Sequence, residues 1–181
     1  MSQSLFAIKV VATLLVALSL QGVLSYIWRP FRYIDLALIV TVYFSLMRNQ
    51  MMGMFIGMAS GVIKDALPGS GGIIGIGGIA KTLIGFFVAT ASVHLTLENS
   101  FVRLLVVAIA SVINTAIYVG LYALLGVNLT PEQGMQEIIK KAEWELIANT
   151  GAAIVIFWLL NIVFAEERPD RYKVVKRRFY R

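Results

Sequence analysis

The sequence predicts an all-α polytopic membrane protein of about six transmembrane helices. Of its 181 residues, 59% are hydrophobic and only 14% are charged, which leaves too little polar surface to cover a water-soluble domain of this size. The mean hydropathy is +0.80, so lipid rather than water must be the main solvent. Residues 104–125 and 146–165 carry no charge at all, and each is long enough to cross a hydrocarbon core of about 30 Å.

The spans follow in chain order. Residues 5–27 form the first, with Lys9 near its start; they share the apolar stretch of a signal peptide, but no small-x-small cleavage site precedes Trp28. The apolar run 34–67 is too long for one crossing and is cut by Arg48, Asn49 and Gln50, giving a short second span at 34–47 and a third at 51–67. Residues 73–93 form the fourth, with Lys81 near the middle; 104–125 and 146–165 complete a transmembrane domain over 1–165, and 166–181 is a basic tail.

Orientation comes from the lysines and arginines. Seven of the sixteen lie in 168–181, which places the tail in the cytoplasm by the positive-inside rule; six spans then put Met1 there too. Arg48 and Arg103 fall at cytoplasmic ends in that arrangement, while Arg29, Arg32, Lys140 and Lys141 dissent from it. Trp28, Phe31 and Tyr33 have the character of interfacial anchors. The net charge of +6 therefore belongs to a tail that meets lipid headgroups or cytoplasmic partners, not to a nucleic-acid surface.

The absence of cysteine removes disulfides, thiolate metal sites and thiol nucleophiles, and the single histidine, His94, has no companion for a zinc site. No nucleophile–base pair is visible, so neither an enzyme nor a cofactor is expected. Gly75-Ile-Gly77-Gly78-Ile-Ala80 fits a loose dinucleotide pattern and nearly a phosphate loop. Both need a strand before the loop, and here the pattern lies inside an apolar helical segment.

The informative pattern is a stripe of small residues. Gly53, Gly57 and Gly61 recur every four residues in the third span, on one helix face open to close approach by a neighbour, and Asp65 is the next member of the series. In the fourth span Gly77, Lys81 and Gly85 have the same spacing, so the two stripes are candidates to face each other. An ionised group at bilayer depth costs at least about 2.5 kcal/mol, so each charge needs a partner. The lean of side chains toward a helix N-terminus predicts an Asp65–Lys81 pair across the hairpin; the plainer alternative is that both charges sit at headgroup level. Asp35 opens the second span as a helix cap or as a candidate partner contact, and Lys64 is expected to point outward. Asn114, Asn149 and Asn161 are expected to hydrogen-bond between helices.

Thr130-Pro131-Glu132-Gln133 has the cap, N1 proline and capping-box spacing of a helix start. An amphipathic outer helix is expected over about 131–145, its apolar face including Met135, Ile138 and Ile139, lying on the membrane or docking a partner.

Asp35, the polar turn at Arg48, the glycine stripe ending in Lys64-Asp65, the glycine-rich loop and Lys81-Thr82 follow one another in an order that resembles the MreD family of rod-shape-determining proteins. The match is best over 34–90; residues 100–181 agree only in hydropathy. The resemblance implies a noncatalytic inner-membrane scaffold or regulator of the bacterial elongation complex, supporting lateral peptidoglycan synthesis by binding MreC, with RodA, a class B penicillin-binding protein and MreB as further partners. It also implies a fold similar to the substrate-binding components of energy-coupling-factor vitamin transporters, and such a component is the alternative function. Those components resemble one another in an Ala-x-x-x-Ala contact in the first span, a spacing that Ala7, Ala12 and Ala17 do not have.

Overall fold

The apolar runs become helices wherever they are placed. The computed structural model describes residues 3–27, 29–47, 50–67, 73–92, 99–126 and 135–165, and among them it is all-α. The helices are α1 (Gln3–Ile27), α2 (Leu36–Met47), α3 (Gln50–Ala66), α4 (Ile76–Ala91), α5 (Ser100–Leu124) and α6 (Met135–Val163), with a 3-10 helix at Arg29–Tyr33 between α1 and α2. Trp28, Arg48, Asn49, the 68–72 loop, His94, the capping sequence at 130–133 and the tail 166–181 lie outside the described residues.

Segments within α1, α5 and α6, namely Leu5–Leu24, Ser100–Leu124 and Gln136–Val163, are each long and apolar enough to cross a membrane. Their outward faces are aliphatic and aromatic: Ile8, Val11 and Val16 on α1, Phe101, Leu105 and Ile109 on α5, and Ile147, Ile154, Trp158 and Ile162 on α6 are all exposed. A surface of this kind is stable against lipid and not against water. The protein is an all-α membrane protein.

The short helices lie at the centre. α2 has 12 residues and rises about 18 Å, too little to cross the hydrocarbon alone. It does not face lipid: every residue from 36 to 46 is buried, and α1, α3, α4, α5 and α6 all pack against it. Helices apolar on every side belong in an interior, and α2 is the axis of this bundle.

The tightest packing is between α3 and α4, which run antiparallel. A β-carbon on Gly53 would meet the Gly85 carbonyl oxygen, one on Gly57 the Lys81 carbonyl, and one on Gly61 the Gly77 carbonyl. The two small-residue stripes thus lie backbone against backbone. Between helices in lipid the hydrophobic drive is weak, and close approach of this kind supplies dispersion in its place.

Residues 135–145 of the amphipathic helix expected over about 131–145 and residues 146–163 of the span expected over 146–165 lie on one continuous helix, α6, of 29 residues and about 43 Å. Glu145 accepts a hydrogen bond from the Thr115 hydroxyl at 2.6 Å, and Asn149 donates to the Ser111 hydroxyl at 2.8 Å, so α6 is fastened to α5 on both sides of residue 146.

Candidate functional site

The starts of α2 and α4 pose the same physical problem. The first N–H groups of a helix have no partner within it, and in a membrane water does not supply one. Each start is capped by an aspartate.

Asp35 precedes α2, and its Oδ1 accepts the Leu38 N–H at 3.0 Å. The Leu36 N–H donates to Oε1 of Gln21 on α1 at 3.1 Å, and the Asp35 N–H donates to Oδ1 of Asn149 on α6 at 2.6 Å. The other carboxylate oxygen, Oδ2, is shared by two ammonium groups, Lys64 at 2.6 Å and Lys81 at 2.9 Å. Lys64 keeps 27% of its side chain exposed, whereas Lys81 has none.

Asp65 closes α3, and its carboxylate folds over the first turn of α4. Its Oδ2 accepts the Gly77 N–H at 2.7 Å and the Gly75 N–H at 3.0 Å, and its Oδ1 accepts the Tyr118 hydroxyl at 3.0 Å. Gly75 takes φ 104°, a left-handed conformation that glycine adopts without strain. A β-carbon on Gly77 would strike both the Tyr118 hydroxyl and the Asp65 carboxylate, so glycine there keeps the space for this hydrogen bond. The glycine pattern that mimics a phosphate loop therefore does present helix-start amides to an anion, and the anion is the chain's own Asp65.

Tyr118 joins the two aspartate sites. Its hydroxyl is on Asp65, and the centre of its ring lies 5.7 Å from the Lys81 ammonium, within cation–π range. One turn on, Tyr122 stacks on Tyr118 and accepts the Ile73 N–H at 3.0 Å. Two carboxylates and two ammonium groups thus sit together at one end of the bundle, and both carboxylates accept hydrogen bonds from other residues of the bundle.

A rod shape-determining protein MreD family model matches residues 2–167, a stretch that includes all six helices. The chain belongs to the MreD family. No curated protein and no solved structure matches it. MreD-family membership assigns the bundle to rod shape determination, as a structural component and not a known catalyst.

In this MreD-family chain the structure changes the expected pairing. Lys81 meets Asp35 rather than Asp65. Its side chain enters the bundle toward the start of α2, while Asp65 accepts the N–H groups at the start of α4. Lys64, expected to point outward, turns in to Asp35. Asp35, weighed as a partner contact, is buried and engaged on both oxygens. Gly53, Gly57, Gly61, Gly77 and Gly85 are all at the α3–α4 contact. Of the outer positions, Ile139 is exposed and Ile138 half-buried, and the Met135 side chain lies outside the described residues. Asn149 and Asn161 do bond between helices, Asn161 accepting from the Tyr43 hydroxyl at 3.3 Å. Gln21, Ser111, Tyr118 and Tyr122 were not singled out by sequence. The signal for three of them was present as the polar succession Ser111, Asn114, Tyr118 and Tyr122 along one face of α5.

Proposed function

We propose that this chain is a noncatalytic scaffold of the bacterial elongation complex, a six-span protein of the cytoplasmic membrane with both termini inside, supporting lateral peptidoglycan synthesis by binding MreC. RodA, a class B penicillin-binding protein and MreB are the further partners this reading implies. The observation that carries it is the family match over most of the chain; the geometry of the bundle supports it. Where a transporter component needs room for a vitamin, the core here is filled by α2, and the charged groups beside it are engaged with one another.

In this topology the α1–α2, α3–α4 and α5–α6 connections all lie outside, so the aspartate cluster is near the outer surface. There α6 runs on beyond the hydrocarbon and presents Glu137, Ile139, Lys140, Glu143 and Trp144 to its surroundings. This exposed mixed face is the contact for the single span and adjoining segment of MreC. The basic tail holds the cytoplasmic side by lipid headgroups or a cytoplasmic component.

The test is site-specific photocrosslinking in rod-shaped cells that depend on this chain. A crosslinker at Ile139 is expected to capture MreC, and one at the lipid-facing Ile154 is not. Rounded cells that no longer need the chain, or a chain that copurifies a tightly bound vitamin and no cell-wall protein, would overturn the reading.

A further inference from the structure

Asn114 lies on α5 within the buried polar end of the bundle. It is 93% buried, and among the described residues its side-chain oxygen has no hydrogen-bond donor. An amide oxygen in that state has lost its water without replacing it, which favours a donor within reach.

The neighbours on its helix face say which donor. Ser111, three residues before, accepts from Asn149, the same amide that receives the Asp35 N–H. Tyr118, four residues after, places its ring 5.7 Å from the Lys81 ammonium. Residues at i−3 and i+4 flank a helical position on its own face. Asn114 therefore lies between the residue that reaches the Asp35 site and the residue that covers Lys81.

Lys81 is the complementary group. Its ammonium has three N–H donors. Asp35 supplies the counter-charge at 2.9 Å, but without the alignment of a hydrogen bond, and the ammonium is fully buried. An acceptor without a donor and an ammonium without an aligned acceptor are thus linked through Tyr118, the first one turn along its helix and the second against its ring.

We infer that Asn114 is a second acceptor for the buried Lys81 ammonium, so that Lys81 is held between Asp35 on α2 and Asn114 on α5. Asn114 is then a positioning residue: it fixes α5 against α4 through Lys81, and Tyr118 closes the same contact from one turn along.

The test is charge rescue in the full chain reconstituted in nanodiscs, read by thermal unfolding. Asp35→Asn removes the carboxylate from Lys81 and is expected to lower the melting temperature by roughly 10 °C, on the scale of a broken buried ion pair. Adding Asn114→Asp supplies a carboxylate from the other side and is expected to recover at least half of that loss. The same Asn114→Asp change with Lys81→Met, where no ammonium is left to meet it, is expected to lower the melting temperature further. An Asn114→Asp effect of the same sign and size in both backgrounds means that position 114 does not face Lys81, and overturns the inference. Should Asp35→Asn fail to fold, Asn114→Asp is compared in the native and Lys81→Met backgrounds, and an equal effect in those two overturns it likewise.

Discussion

The two ends of this bundle are held together by different physics. At one end Phe6 of α1, Tyr43 and Phe44 of α2, Phe157 of α6 and Phe164 just beyond it make an aromatic cluster, with ring centres 5.0 Å apart for Phe44–Phe164, 5.4 Å for Tyr43–Phe157 and 6.3 Å for Phe6–Phe44. At the other end Asp35, Lys64, Lys81, Asp65 and Tyr118 make a network in which nearly every atom has an assigned partner. Aromatic packing is tolerant, since rings shift and neighbouring side chains fill in. The network is not tolerant, because removing one member strands the others. In lipid, where apolar contact alone discriminates poorly between helix registers, the charged end sets which helices meet and where, and the aromatic end fills the remaining volume.

The sharpest way to break this contrast is at Asp35. Asp35→Ala takes the carboxylate from two lysines and the cap from α2, and is expected to cost about 3–5 kcal/mol, seen as loss of folded protein in membranes and a large fall in melting temperature. The glycine hairpin lies between the two ends and comes next. Gly57→Ala puts a methyl group into the Lys81 carbonyl, and is expected to cost about 1–3 kcal/mol by forcing α3 from α4. Tyr118→Phe keeps the ring over Lys81 and deletes one of the hydrogen bonds to Asp65; a loss of about 1 kcal/mol is expected. At the aromatic end Phe164→Leu is expected to cost less than about 1.5 kcal/mol. Combined with Tyr118→Phe its effect should add, because the two sites share no partner among the described residues; a strong coupling measured by the double variant would mean that the ends are not independent.

How much of this was legible depended on whether partners were close in sequence or only in space. The glycines at 53, 57 and 61 and at 77 and 85 announce a close helix contact, because a four-residue period needs only helix geometry to be read, and the structure places them there. The need of Asp65 and Lys81 for partners follows from the cost of a charge in lipid. Which partners they take does not follow, since Asp35–Lys81 joins helices α2 and α4, and Asn149 reaches Asp35 from 114 residues away. The pairing of Asp65 with backbone amides was hidden for another reason: amides carry no sequence signature, and only the glycine at 77 hinted that something must approach. Likewise the amphipathic character of 135–145 is legible in the sequence, whereas the contacts of Glu145 and Asn149 to Thr115 and Ser111 join residues about 30 or more apart and are not.

The central claim is that Asp35 and Lys81 are one paired unit inside this MreD-family bundle. A double-variant cycle of Asp35→Asn, Lys81→Met and both together, in the full chain in nanodiscs, measures it by thermal unfolding. Because Lys64 is partly exposed and can turn outward, the account predicts that the double variant melts above at least one of the single variants. A double variant whose melting temperature falls by the sum of the two single losses would contradict it.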